Sequence, residues 1–189
     1  MNSLRTPLIV LALVASVAAA SRQQPRVASG GANETMKVVA AANAFLATLT
    51  EPQRNAGTFA FSSPQRTRWS NLPSGIFQRT GLRLGDLSMP QRAAALALVA
   101  SALSPEGYHT VTEIMNGDEV LRNEGGGRTG GRQGRGGVRF GVDEYYIALL
   151  GTPSATAPWL LQFGGHHLAI NVTIVGGQSV MTPEMKAPM

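Results

Sequence analysis

The sequence predicts an α+β domain in which N-terminal helices pack on a C-terminal antiparallel sheet. Apolar residues recur at helical spacing up to about residue 122, whereas from residue 142 onward they form short strand-like runs. A Gly/Arg-rich stretch at 125–141 separates the two halves. The chain has 189 residues, is 43% hydrophobic and contains no Cys. This composition fits one globular domain and excludes a disulfide scaffold, a Cys-ligated metal and a cysteine nucleophile.

Residues 1–20 have the pattern of a secretory signal peptide. Arg5 supplies the positive charge, the 13 residues from Leu8 to Ala20 are apolar, and Ala18-Ala19-Ala20 fits the small-residue cleavage rule. An uncleaved anchor is the alternative, but the run is shorter than the roughly 20 residues that span a bilayer. We expect cleavage near Ala20, a secreted or periplasmic protein and no membrane segment in the mature form.

The mature chain is predicted to contain a polar, Gly/Ser-rich flexible leader at 21–32 and one domain at 33–189. Asn33 caps a first helix that ends near Leu49. Two segments then share the form L-[ST]-x-P-Q-R, 38 residues apart, at 49–54 and 87–92. In each, a Ser or Thr precedes a Gln by three residues, which is a capping box. The pair indicates two helix starts, or an internal duplication.

The second capping box begins a largely apolar helix from Met89 to about Leu103, which we expect to be buried. Ser104 and Pro105 then begin a further helix that covers Glu106 to Met115. Asn116-Gly117 is predicted to end this helix in the left-handed conformation, with a short helix from residue 118 to about 122 after it.

Strands are predicted at 58–61 and, in the second half, at 145–150, 159–163 and 168–175. Gly176-Gly177 is a hairpin-type turn after which Gln178 begins a last strand. The sequence stops shortly after this turn, so we expect it to be a fragment of a longer protein and the domain to be incomplete at its C-terminus.

His166-His167 is the main candidate catalytic pair, because it follows Gly164-Gly165 between two predicted strands and only three His occur. An imidazole there would act as a general acid or base, or as a metal ligand. Consecutive side chains of an extended chain point to opposite faces, so one His faces a pocket unless the glycines bend the backbone. The alternative is that both rings are structural.

His109 and Glu113 lie four residues apart on one predicted helix and so share a face. Together with His167 they would suit a divalent transition metal such as zinc or copper. A solvent-exposed pair on the helix face is the alternative.

An Arg-rich loop between the two halves of the helical region is the candidate substrate-binding segment. Arg68, Trp69, Asn71 and Arg79 lie in it, and guanidinium groups of this kind bind anions or carboxylates. Ordinary surface arginines are the alternative.

The formal charge of +5 does not indicate a nucleic-acid partner. Arg5 leaves with the signal peptide and the stretch at 125–141 supplies four more positive charges, so the rest of the mature chain is neutral. That stretch lacks repeated RGG triplets among aromatics, and we interpret it as a disordered surface insertion.

The chain resembles an uncharacterised secreted family known as domain of unknown function 3500, over roughly residues 38–185. The resemblance implies a longer protein and gives more weight to His166, His167, Trp69 and Asn71, but it implies no activity or cofactor. The Gly/Arg-rich insertion departs from the family pattern. The matching residues are Phe45-Leu46, Leu49, Gln53, Arg68-Trp69-Ser70-Asn71-Leu72-Pro73, Gln91-Arg92, Leu103-Ser104-Pro105-Glu106-Gly107-Tyr108, Gly151-Thr152-Pro153-Ser154, Trp159, Gly164-Gly165-His166-His167-Leu168 and Asn171.

Two functional hypotheses follow. The first is an exported protein with a polar or metal site around His166-His167, with hydrolysis as the reaction and Arg68 or Arg79 orienting an anionic substrate. The second is a non-catalytic extracellular or periplasmic binding or structural module in which the His pair is structural. The sequence does not decide whether the protein is an enzyme.

Overall fold

The fold is α+β, as predicted, with the α-helices preceding the four longer strands of the sheet. The computed structural model describes residues 32–125 and 137–186. The predicted signal peptide, the leader and most of the Gly/Arg-rich stretch lie outside these residues. The helices are α1 (Ala32–Thr48), α2 (Glu51–Gly57), α3 (Met89–Ser101) and α4 (Pro105–Asn123). The strands are β1 (Thr58–Phe59), β2 (Leu82–Arg83), β3 (Tyr146–Leu150), β4 (Trp159–Gly165), β5 (Leu168–Val175) and β6 (Gln178–Lys186).

The strands form one sheet in the order β1-β3-β4-β5-β6. Strands β3 to β6 are antiparallel neighbours, as predicted. The two short strands from the helical half share the outer edge of β3, where β2 is antiparallel and β1 is parallel. The sheet is therefore mixed at this edge. Strand β1 follows α2 directly and is not joined to β3 by a hairpin, so the two strands can run parallel.

The central strands β3 to β5 are buried on both faces, which different parts of the chain cover. One face carries large apolar side chains, among them Trp159 and Phe163, and packs with Phe45 and Leu98 of the helices in the main core. The other face is covered by the segment between β1 and β2, where Phe59 and Phe61 pack on a second apolar cluster. On this second face Gln65 also bonds to Gln162 at 2.7 Å.

The two L-[ST]-x-P-Q-R segments are in direct contact. Each forms the capping box that the sequence predicts, at the start of α2 and of α3. Their glutamines also exchange amide hydrogen bonds: Gln91 Nε2 donates to Gln53 Oε1 at 2.8 Å, and Gln53 Nε2 donates to Gln91 Oε1 at 3.2 Å. The same residue type at the same position thus caps both helices and joins them.

The prediction that α4 ends at Asn116-Gly117 is wrong. The helix continues to Asn123, because its buried stripe extends through Val111, Met115 and Asp118 and holds the helix against the core. A helical Gly costs about 1 kcal/mol relative to Ala, which such packing offsets. Among the described residues, no helix is both long and apolar enough to cross a membrane.

Candidate functional site at the β4–β5 hairpin

His166 and His167 form the two-residue turn that joins β4 to β5, since Gly165 pairs with Leu168. His167 has a φ of 61°, a left-handed conformation that His adopts more readily than most side chains. Its backbone N–H donates to the Asn71 carbonyl at 2.8 Å. Because the pair is in a turn and not in extended chain, the two rings meet edge to face, with centroids 3.7 Å apart.

Asp118 is the partner of His166, and it is not among the site residues predicted from the sequence. Its Oδ1 lies 2.6 Å from His166 Nδ1, and the Asp118 side chain is 2% exposed. Its second oxygen, Oδ2, is buried and has no hydrogen-bond partner among the described residues. A carboxylate bonded to one ring nitrogen fixes the orientation and the tautomer of the imidazole.

Tyr145 packs against the hairpin and is hydrogen-bonded to the backbone of its turn. Its hydroxyl donates to the His166 carbonyl at 2.8 Å. Burial raises the pKa of Tyr145, and the negative charge of nearby Asp118 raises it further. A Cβ at Gly165 would lie only 2.6 Å from the Tyr145 ring, so this glycine is what allows the ring to pass beneath the hairpin.

Arg79 ties the Arg-rich loop to the hairpin. Its Nη2 donates to three backbone carbonyls, those of Ser70, Leu72 and Gly165, at 2.5–2.7 Å. Burial lowers the pKa of Arg79 despite the nearby acidic groups. Through Nη2 the guanidinium holds the loop on the end of β4, whereas its Nη1 is buried and has no hydrogen-bond partner among the described residues.

Arg68 and Trp69 line a cleft beside the hairpin, together with Arg79. The cleft lies on the second face of the sheet, above Tyr146 and Gln162. Its cavity volume is about 20 Å³, which is room for about one water molecule. A larger ligand would therefore lie on the surface of this cleft. Of the predicted loop residues, Asn71 and Arg79 therefore contact the hairpin directly, whereas Arg68 and Trp69 line the neighbouring cleft, whose lining includes neither His166 nor His167.

Phe140 is a second site residue that the sequence analysis did not single out. Its ring centroid lies 4.9 Å from that of His166. The residue before it, Arg139, pairs with Ser74 of the loop by a backbone hydrogen bond of 2.9 Å and forms an ion pair with Glu144. An aromatic residue that ends a Gly/Arg-rich stretch was the available signal.

His109 and Glu113 do not join this site. Both are exposed, because they lie on the face of α4 opposite the buried Val111, Met115 and Asp118. Within 32–125 and 137–186, no three His, Cys, Asp or Glu side chains are grouped so that they could hold a metal ion. The structure therefore does not assemble the predicted trio of His109, Glu113 and His167.

One family model matches the chain over residues 31–187, and it is described as "Protein of unknown function (DUF3500)". No curated protein and no solved structure matches the chain.

Proposed function

The chain belongs to the DUF3500 family, whose function is unknown, and we propose that His166 and Asp118 form an acid–base pair at a hydrolytic site. The observation that carries the proposal is the 2.6 Å contact between His166 Nδ1 and a carboxylate that is 2% exposed. A carboxylate buried this deeply has a large desolvation cost, which a hydrogen-bonded partner offsets. A histidine with one ring nitrogen bonded to a carboxylate is also the arrangement by which enzymes orient a general base.

In the proposed mechanism, His166 is the general base and Asp118 its orienting partner. With Nδ1 bound to Asp118, the second ring nitrogen, Nε2, accepts a proton from a water molecule that attacks the substrate. Asp118 then stabilises the resulting imidazolium and keeps the ring in one tautomer. The His166 side chain is 13% exposed, so a small reactant can reach the ring.

Arg68 and Trp69 are the proposed substrate contacts. Arg68 is exposed and lines the cleft, so its guanidinium can meet an anionic group there. Trp69 is half-buried in the same wall. Asn71 and Arg79 hold the loop on the hairpin: the Asn71 carbonyl accepts from His167 N–H, and the Arg79 guanidinium donates to the Gly165 carbonyl.

The test compares the wild-type protein with Asp118→Asn and His166→Gln on chromogenic acyl, phosphoryl and glycosyl esters. We expect one ester class to be hydrolysed, with each variant about 10²-fold slower or more, which is within the range of acid–base contributions. His109→Gln is the matched control, since it alters an exposed histidine outside the site. Absence of hydrolysis in all three classes, or equal rates in wild type and His166→Gln, would contradict the proposal.

A non-catalytic module is the second candidate, and one observation favours it. The Nη2 bonds of Arg79 all go to backbone carbonyls, and the adjoining cavity has room for only about one water molecule. In that case Asp118 and His166 would serve only to fix the hairpin. Asp118→Asn and His166→Gln would then lower stability and change no reaction rate.

We further propose that the protein is exported and acts in a secreted or periplasmic setting. The support is the charge and apolar pattern of residues 1–20, with the small-residue site at Ala18-Ala19-Ala20. Hydrolysis outside the cytoplasm is compatible with a chain that has no Cys to oxidise.

A further inference from the structure

The segment 137–141 is held against the site from two sides. On one side, Arg139 N–H bonds to Ser74 O, and a Cβ at Gly75 would lie 2.5 Å from the Gly137 carbonyl, so the two backbones are in close contact. On the other side, Gly141 has a φ of 106° and lies against Glu119 and Arg122 of α4.

Phe140 stands between these two anchors, and its ring meets His166. The ring centroids are 4.9 Å apart and the planes are tilted by 54°. The imidazole therefore has three neighbours: Asp118 at Nδ1, the tilted ring of Phe140, and the ring of His167 edge to face.

We propose that Phe140 is a positioning residue for His166, which holds the imidazole in the plane that keeps Nδ1 on Asp118. This inference rests on the proposed function, because the orientation of the ring has a kinetic consequence only where the ring moves a proton. Without the Phe140 ring, the imidazole of His166 keeps the Asp118 hydrogen bond and the contact with the His167 edge, and these alone oppose its rotation about the bond to Cβ. The ring then spends part of its time away from the reactive orientation.

The experiment measures two quantities in Phe140→Ala, Phe140→Leu and wild type. The first is the ¹⁵N chemical-shift difference between Nδ1 and Nε2 of His166, which reports the tautomer. The second is kcat and KM for the ester that wild type hydrolyses. We expect Phe140→Ala to reduce the shift difference and to lower kcat about tenfold to 10²-fold, the cost of a misplaced catalytic group, with KM within about twofold of wild type. Phe140→Leu keeps the apolar volume but not the flat ring. Its shift difference and its kcat should lie between those of wild type and those of Phe140→Ala.

Phe61→Ala is the matched control, because Phe61 is also half-buried but packs on the second apolar cluster. It should leave the His166 shifts and kcat unchanged. If Phe140→Ala does not fold, as judged from its amide spectrum, Phe140→Leu supplies both measurements.

The results that would overturn this inference differ from those that would overturn the proposed function. If wild type hydrolyses an ester and Phe140→Ala and Phe140→Leu retain its kcat, the inference is overturned and the proposed function stands. If no ester is hydrolysed but the tautomer changes in Phe140→Ala, the positioning of the ring is supported and the proposed function falls. Unchanged shifts in both Phe140 variants overturn the inference whatever the activity.

Discussion

At the scale of single residues, the site consists of His166, the buried Asp118 carboxylate bonded to its ring, and the neighbouring His167 ring. His166-His167 stands out because histidine is rare in the chain and glycines precede the pair. Asp118 was missed because the predicted break at Asn116-Gly117 removed it from the helix. The apolar spacing from Val111 to Met115 places Asp118 next on the same stripe, and an acidic residue in a buried stripe is itself a functional signal.

The pKa of His167 provides a test at this scale. Burial lowers this pKa below the ordinary 6.5, the neighbouring His166 lowers it further, and Asp118 partly opposes the shift. Because the folded protein resists protonation of His167, the unfolded chain takes up this proton first as the pH falls below about 6.5. The His167 contribution to stability is therefore complete at higher pH and is lost as the pH falls through the ordinary pKa.

We predict that wild type loses more stability than His167→Asn between pH 7 and pH 5, as measured by urea unfolding at each pH. Asn is chosen because it tolerates the left-handed conformation of this position. His109→Asn, at an exposed site, should follow the wild-type curve. Parallel curves for wild type and His167→Asn would show that the His167 pKa is not lowered.

At the scale of elements, the helices set where the site residues lie. Continuation of α4 through Gly117 brings Asp118 to the hairpin, and this depends on packing between α4 and the core, which local sequence does not reveal. The capping boxes were visible in the sequence because a cap is a local interaction over four residues. Their mutual contact was not, since it joins residues 38 positions apart.

The paired glutamines give the prediction for this scale. In Gln91→Glu a carboxylate oxygen replaces the Nε2 donor that now binds Gln53 Oε1 at 2.8 Å and the Thr48 carbonyl at 2.9 Å. Acceptors would then face acceptors in a site where Gln91 is 9% exposed. We expect the free energy of unfolding to fall by about 1–3 kcal/mol, as for an unsatisfied buried polar group. Chemical denaturation measures it.

Gln78→Glu is the control for the added charge, because Gln78 is exposed and lies outside both capping boxes. It should change the free energy of unfolding by about 0.5 kcal/mol or less. Equal effects of the two substitutions would mean that the amide pair contributes no specific stability.

At the scale of the whole molecule, the division into helical and strand halves followed from the change of hydrophobic periodicity. Strand β5 was predicted at its observed bounds, because Leu168 to Val175 alternates and Gly176-Gly177 marks the turn. The parallel pairing of β1 was not predictable, since two residues carry no signal of direction. The placement of the Arg-rich loop over the sheet likewise depends on long-range contacts such as that of Gln65 with Gln162.

The excess positive charge of the chain lies outside the residues that the structure describes. The described residues carry ten Lys or Arg and eleven Asp or Glu, whereas the whole chain has a formal charge of +5. The surplus positive charge therefore belongs to the segments at 1–31 and 126–136. Arg5 in the first of these segments is placed where a signal peptide requires a positive charge.

Export is accordingly the prediction for the whole molecule. When the full chain is expressed in a bacterium with a general secretory pathway, we expect the protein to be recovered from the periplasm or medium with Ser21 as its first residue. Intact-mass measurement identifies that terminus.

Replacing Ala18 and Ala20 with bulky residues should block cleavage, because the processing site accepts only small side chains there, and the longer chain should then stay with the membrane fraction. The same replacement at Ala32, at the start of α1, is the control and should leave processing unchanged. Recovery of the wild-type chain in the cytoplasm with Met1 retained would contradict export, and with it the assignment of the hydrolytic site to an extracytoplasmic substrate.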